Sequence, residues 1–185
     1  MPRTETIVRE LFKFDELSEK VQEKVIEKNW DWNVDCLDWW DGVYKDAATI
    51  GLKITEFDPG RRQSIDGKLT ENLLDCCKLI RKNHGKDCDT FKTAKQYLTE
   101  YIEAFKKWFE AEDKEDYQNM KGKDWLKEFS YSDDAADVEN DFRKALLGDY
   151  YSMLDREYDY LTSREAIIES IKCNEMEFQE NGSPA

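Results

Sequence analysis

The N-terminal residues combine a short apolar stretch with a segment of helical periodicity. Within residues 6–14 the apolar side chains alternate with polar ones toward the end of the stretch, which predicts a strand. Ser18 then stands where a helix N-cap is favourable, because its hydroxyl can accept from the free amides of a first turn. Apolar residues on one side of the following segment predict a helix that ends near Asn29.

A second helix and a β-hairpin follow in the pattern. Apolar residues recur at three- and four-residue spacing over residues 36–50, and Gly51 stands at the position of a left-handed C-terminal cap. Residues 52–57 alternate between apolar and polar side chains up to an Asp-Pro-Gly turn at residues 58–60. The pattern therefore predicts a helix followed by a half-buried strand, with residues 61–67 as its hairpin partner.

The second half of the chain is dominated by helical spacing. Thr70 is the predicted cap of a helix that ends before Gly85, and a further helix follows residues 89–90 and extends to about Phe109. A capping signal at residues 162–165 predicts a last helix, after which Met176 and Phe178 predict a closing strand.

The longest predicted helix covers residues 134–160. Gly148 is its weak point, since glycine in a helix interior costs roughly 1 kcal/mol relative to alanine. Its expected buried stripe consists of Val138, Phe142, Leu146, Tyr150, Leu154, Tyr158 and Leu161.

This order of elements predicts an α+β fold, a mostly helical single domain with a small antiparallel sheet. We expect the domain to cover residues 1–180 of the 185, and residues 181–185 to form a disordered tail. Nine Phe, nine Tyr and six Trp residues supply enough apolar surface for a core.

Five cysteines and the absence of an apolar leader favour a reducing compartment. An odd number with one adjacent pair, Cys76 and Cys77, does not fit a secreted disulfide framework. No apolar run approaches the roughly 20 residues that span a bilayer. We therefore expect a cytoplasmic protein that is neither exported nor embedded in a membrane.

The charge of the chain indicates what kind of partner it binds. Asp and Glu number 42 against 28 Lys and Arg, a net charge of −14. Such a charge opposes direct binding to nucleic acid or to an anionic membrane surface. Residues 133–185 alone contain 14 acidic and 5 basic residues. The expected partner is a cationic protein surface.

Clustered aspartates in the last third are the candidate binding residues. Asp134, Asp137 and Asp141 share one face of the predicted helix, and Asp155 and Asp159 share another. Like charges at this spacing repel, which favours a function such as imitation of a phosphate backbone, although an ordinary solvated face is the alternative. The predicted partner-binding residues are Asp133, Asp134, Asp137, Asp141, Asp155 and Asp159.

Catalytic and metal-binding motifs are weakly represented. His84 is the only histidine, and no phosphate-binding glycine loop or nucleophile motif is present. Cys76, Cys77, His84 and Cys88 offer zinc-type ligands, but their spacing matches no zinc motif, and buried thiols are the commoner explanation. We expect no enzyme activity, metal or cofactor. A small metal-dependent hydrolase, using carboxylates with His84 or Cys76, is the alternative.

Both ends of the chain resemble a family of small acidic proteins from phages and mobile elements. The similar segments are FDELSEKVQEK at residues 14–24, DWWD at 38–41, DAATIGL at 46–52, EYDYLTSREA at 157–166 and NEMEF at 174–178. The segment from about residue 60 to residue 132 departs from the family pattern.

This family is associated with an anti-CRISPR that inhibits the RNA-guided nuclease of type II systems. The resemblance therefore implies binding to a type II CRISPR effector loaded with guide RNA, inside a bacterial host cell. It implies no catalytic residue, because the similar motifs are helix-forming segments. A general DNA mimic directed against restriction enzymes is the alternative that the charge pattern leaves open.

Overall fold

A computed structural model of the chain describes residues 10–35, 38–60, 63–111 and 121–185. The predicted class is confirmed: the fold is α+β, mostly helical, with small antiparallel strand pairs. Its residues form two compact units, each with its own core. We call residues 1–39 with 156–185 the terminal unit and residues 40–155 the central unit.

The terminal unit joins the two ends of the chain through a short antiparallel pair. Strand β1 (Phe12–Lys13) pairs with β4 (Glu177–Phe178), and Phe12 lies opposite Phe178. The preceding residues 6–9 of the predicted strand lie outside the described part of the chain. The remainder of the predicted strand is shorter than expected, because residues 14–16 form a 3₁₀ turn.

Residues 181–185, expected to be a disordered tail, are hydrogen-bonded to this strand pair. Pro184 forms a β-bridge with Phe178, and the Ala185 amide donates to the Glu177 carbonyl at 3.1 Å. Gly182 has a φ of +84°, and a Cβ there would lie 2.9 Å from Val21 Cγ1. A tight turn that only glycine fits therefore returns the tail onto the unit.

Helices α1 (Glu19–Lys28), α2 (Trp32–Asp35) and α8 (Arg164–Cys173) complete the terminal unit. Ser18 is the N-cap of α1 as predicted, although its hydroxyl makes no capping hydrogen bond. Ser163 caps α8 by accepting from the Ala166 amide. The buried core consists of Phe14, Leu17, Val25, Ile26, Ile167, Ile171 and Phe178.

The helix predicted over residues 36–50 begins later than expected. Residues 36–37 lie outside the described residues, and the observed helix α3 is Asp41–Thr49. Strand β2 (Leu52–Asp58) then pairs with β3 (Ser64–Leu69), with a register shift between Ile54 and Glu56. The hairpin is therefore confirmed, but its second strand covers residues 64–69 rather than 61–67, and residues 61–62 lie outside the described part of the chain. Gly51, with a φ of +82°, ends the helical segment before the hairpin.

Three helices of the central unit follow the hairpin. Helix α4 (Leu73–Asn83) begins later than predicted, because Asn72 rather than Thr70 caps it by accepting from the Asp75 amide. Helix α5 (Asp89–Ala111) matches its prediction, whereas α6 (Gly122–Phe129) was not predicted. On α5 Tyr101 is buried, whereas Ile102 is exposed.

Helix α7 (Asp133–Leu161) confirms the longest predicted helix. Phe142, Leu146, Tyr150 and Leu154 are fully buried, as its apolar spacing predicts. No helix among the described residues is long and apolar enough to cross a membrane. The buried core of the central unit contains Ala47, Ile50, Leu52, Ile54, Leu73, Cys76, Cys77, Ile80, Ala94, Tyr101, Phe129, Ala135, Phe142, Leu146, Leu147 and Tyr150.

Candidate partner-binding surface

The first turn of α7 places two of the predicted aspartates at a helix N-terminus. Ser132 caps this end, since its hydroxyl accepts from the Ala135 amide at 3.2 Å. Asp133 and Asp134 lie in the first turn, where carboxylates interact favourably with the positive end of the helix dipole. Both side chains are exposed. These two acids therefore stabilise the helix as well as charging its surface.

Two further aspartates extend the charge along α7. Asp137 and Asp141 are exposed, and Asp141 forms an ion pair with Lys144 at 3.0 Å. Both partners of this pair are more than half exposed, so the pair is weak. Among the residues that the structure describes, Asp133, Asp134 and Asp137 form no ion pair. We call Asp133, Asp134, Asp137 and Asp141 the acidic patch.

The acidic patch is dense but short. With a rise of about 1.5 Å per residue, its four charges occupy about 12 Å of the helix axis. One strand of DNA carries a charge about every 3.4 Å, so the density is similar. Further along the same side of α7 lie Lys144 and Gly148, which add no negative charge. The patch therefore matches only about four phosphates of one strand.

An exposed aromatic side chain adjoins the acidic patch in sequence. Tyr131 lies two residues before Asp133 and is 74% exposed. Tyrosines are enriched among the residues that dominate protein interfaces, because the ring supplies apolar area and the hydroxyl a hydrogen bond. The spacing of residues in the sequence does not indicate this exposure, since it depends on how α6 and α7 are connected.

The other two predicted aspartates do not join the acidic patch. Asp155 lies fourteen residues beyond Asp141, about 21 Å along the helix axis. It is partly buried and accepts a hydrogen bond from the Tyr151 hydroxyl at 3.3 Å. Asp159 is exposed and belongs to the terminal unit. The structure therefore brings four of the six predicted residues together.

A polar network lies at the edge of the central core. The buried Tyr150 hydroxyl donates to Asp46 Oδ2 at 2.7 Å. The same carboxylate oxygen lies 3.4 Å from His84 Nε2, and His84 Nδ1 lies 2.7 Å from Thr90 Oγ1. Burial, followed by the hydrogen bond and charge of Asp46, raises the pKa of Tyr150. The network therefore links α3, α5 and α7 to the loop after α4.

This network has the residue types of a hydroxyl–imidazole–carboxylate triad, but its hydroxyl is not accessible. Thr90 is completely buried, so its oxygen cannot approach a substrate. His84 Nε2 is buried without a hydrogen bond, because its position near Asp46 lacks hydrogen-bond geometry. The arrangement is that of a structural network at the edge of the core, and the sequence indicated only His84 among its members.

The candidate metal ligands point to separate partners. Cys76 Sγ lies 3.7 Å from the Gly51 carbonyl oxygen, and Cys77 Sγ lies 3.5 Å from that of Ala94. Burial raises the pKa of Cys76 to about 12 and that of Cys77 to about 11. Cys88 is exposed. The part of the chain that the structure describes contains no group of three side chains placed to bind a metal ion.

One further carboxyl group has a shifted pKa. Asp149 is partly buried on α7, and burial raises its pKa. The Thr93 hydroxyl donates to this carboxylate at 2.8 Å and opposes the shift. Its partner lies on α5, so the carboxyl contributes to helix packing rather than to the acidic patch.

Comparison with known proteins adds no family assignment. No family model matches this chain, and neither do curated proteins or solved structures.

Proposed function

We propose that this protein binds a cationic, nucleic-acid-handling protein through the acidic patch and Tyr131. Exposed negative charge on α7 is the observation that supports this function, because three of the four carboxylates have no ion-pair partner among the described residues. The carboxylates would pair with lysines and arginines of the partner that otherwise bind phosphates. Tyr131 would supply the apolar contact.

The partner that the sequence resemblance implies is a type II CRISPR effector with its guide RNA. The protein would then act as an anti-CRISPR in the cytoplasm of a bacterial host, by competing for the channel that holds nucleic acid. The short extent of the acidic patch favours local docking of this kind over general mimicry of a DNA duplex, which would require charge along a longer surface. Asp155 and Asp159 are not part of this proposed interface.

A titration with a matched pair of variants tests the proposal. In the first variant Asp133, Asp134, Asp137 and Asp141 are changed to Asn. In the control the exposed carboxylates Glu56, Glu71, Glu103 and Glu110 of the same unit are changed to Gln. Each variant loses four negative charges, so long-range electrostatics change equally and only the position of the charge differs.

Binding to the guide-loaded nuclease would be measured by fluorescence anisotropy at two salt concentrations. We expect the patch variant to bind roughly tenfold or more weakly than the control, since several interfacial charge pairs are lost together. The affinity of the wild-type protein should fall as salt rises. Equal affinities of the two variants would reject the acidic patch as the interface. Equally tight binding of wild type to an unrelated restriction enzyme would favour the general DNA mimic instead.

A further inference from the structure

A cleft lined by positively charged residues, which we call the cationic cleft, lies between α4 and α5 of the central unit. Its lining consists of Arg81 from the last turn of α4, Lys86 from the connecting loop, and three residues from the first half of α5. Those three are Phe91, Lys95 and Leu98. The cleft has a volume of about 430 Å³. This size suits the insertion of a ligand group or of an anchoring side chain.

The cations of the cleft stand out in an acidic chain. Residues 78–107 contain eight Lys and Arg against four Asp and Glu, although the whole chain has a charge of −14. Among described residues, Arg81, Lys86 and Lys95 form no ion pair, whereas Lys92 nearby is paired with Asp89 at 2.8 Å. The negative end of the α4 dipole stabilises the charge of Arg81, which lies in the last turn of that helix. The α4 dipole does not account for the presence of Lys86 or Lys95.

The apolar floor of the cleft continues along α5. Phe91 and Leu98 are partly buried, and Ile102, one turn beyond Leu98 on the same side of the helix, is 44% exposed. From Phe91 to Ile102 the strip is about 16 Å long at the helical rise per residue. An apolar strip of this length flanked by cations suits a peptide with several side chains better than a single small anion.

The beginning of α5 is unsuitable for a phosphate group. Asp87 and Asp89 lie at this end of the helix, so their carboxylates occupy the region where free amides otherwise attract an anion. The sequence around Gly85 also lacks a phosphate-binding glycine loop. The cations of the cleft are therefore side-chain hydrogen-bond donors placed around an apolar floor. This arrangement is complementary to a ligand in which carboxylates flank an apolar side chain.

We propose that this cleft binds an acidic peptide segment of a partner protein, with an aliphatic or aromatic side chain inserted between Phe91 and Leu98. Carboxylates of the peptide would pair with Arg81, Lys86 and Lys95. This inference goes beyond the acidic patch, because it concerns a different surface of opposite charge. A partner that engages both surfaces would have to present a cationic region and an acidic segment.

Direct binding of synthetic peptides tests the inference. The probe is a fluorescein-labelled peptide of about twelve residues in which Glu alternates with Leu and Phe, long enough to follow the strip. Its matched control replaces every Glu with Gln. We expect the acidic peptide to bind the full-length protein at least about tenfold more tightly than the neutral one.

Charge variants locate the binding site. Lys95→Glu should weaken binding of the acidic peptide about three- to tenfold, because an attractive contact becomes repulsive. Lys53→Glu makes the same change in charge at an exposed position on β2 and should leave binding unchanged. Both lysines are exposed, so neither variant should unfold the protein.

The inference would be overturned by the absence of saturable binding of the acidic peptide, by equal binding of the neutral peptide, or by equal effects of the two lysine variants. Displacement of the peptide by equimolar ATP would also overturn it, in favour of a nucleotide site. The acidic-patch variant and its control, which lose the same four negative charges, should bind the peptide equally, so failure of this inference and failure of the proposed function give different results.

Discussion

Removal of the Tyr150 hydroxyl is expected to destabilise the central unit without changing its packing. Tyr150 is completely buried, and its hydroxyl donates to Asp46 Oδ2 at 2.7 Å. In Tyr150→Phe the ring stays in place and only this hydrogen bond is lost. The variant therefore isolates one link of the network that joins α7 to α3.

The expected loss follows from the charge and exposure of the acceptor. A hydrogen bond to a charged group contributes about 1.5–3 kcal/mol. The Asp46 side chain is 49% exposed, so water can replace the lost donor, and the lower end of the range applies. We expect the free energy of unfolding to fall by about 1.5 kcal/mol, which corresponds to about 3–6 °C in Tm for a chain of this length.

Urea unfolding followed by circular dichroism and by tryptophan fluorescence measures this loss. Tyr97→Phe is the control, because Tyr97 also packs against the core but its hydroxyl makes no hydrogen bond within the described part of the chain. The control should change stability by less than about 0.5 kcal/mol. A double-mutant cycle with Asp46→Ala isolates the pair. A coupling energy below about 0.5 kcal/mol would refute the reasoning.

Three other predictions concern stability and reactivity. Gly148→Ala should raise the free energy of unfolding by about 0.5–1 kcal/mol, since a Cβ there meets no atom within 4 Å and alanine favours a helix. Cys76 and Cys77 are buried with raised pKa values, so iodoacetamide should alkylate them far more slowly than the exposed Cys88, as mass spectrometry would measure. Burial raises the pKa of Asp149, so ionisation of this carboxyl lowers the free energy of unfolding as the pH rises from the ordinary pKa through the raised one. Asp149→Asn should therefore gain stability relative to wild type between about pH 4 and pH 7, as urea unfolding would measure.

Each of these predictions has a matched control or an opposing outcome. Gly67→Ala should destabilise the hairpin, because its Cβ would lie 2.7 Å from the Lys53 carbonyl oxygen. Rapid alkylation of Cys76 in the native protein would contradict its burial. A stability difference between Asp149→Asn and wild type that does not depend on pH would show that the carboxyl has an ordinary pKa in the fold.

The predictions from sequence succeeded where side-chain periodicity is local. The spacing of Phe142, Leu146, Tyr150 and Leu154 predicted the buried stripe of α7, and alternation predicted β2. Helix α6 was missed because it is short and contains only one apolar pair at four-residue spacing, Trp125 and Phe129.

Long-range contacts explain the remaining differences. Helix α4 begins at Leu73 rather than after Thr70 partly because the Leu73 amide donates to Glu139 Oε2 on α7, a partner 66 residues away. The link between Tyr150 and Asp46 spans 104 residues and leaves no trace in local spacing. For the candidate site, helical periodicity predicted that the aspartates of the acidic patch lie close together on α7. It did not predict the partial burial of Asp155.

The pairing of β1 with β4 sets an order for folding during synthesis. Phe12 cannot meet Phe178 until almost the whole chain has left the ribosome, whereas residues 40–155 complete their own contacts earlier. The central unit, which contains both the acidic patch and the cationic cleft, should therefore be the first part of the nascent chain to resist proteolysis. A ribosome-bound chain arrested after the emergence of residue 155 would already present these two surfaces. At that stage the N-terminal part of the terminal unit would still lack α8 and β4, which complete its core.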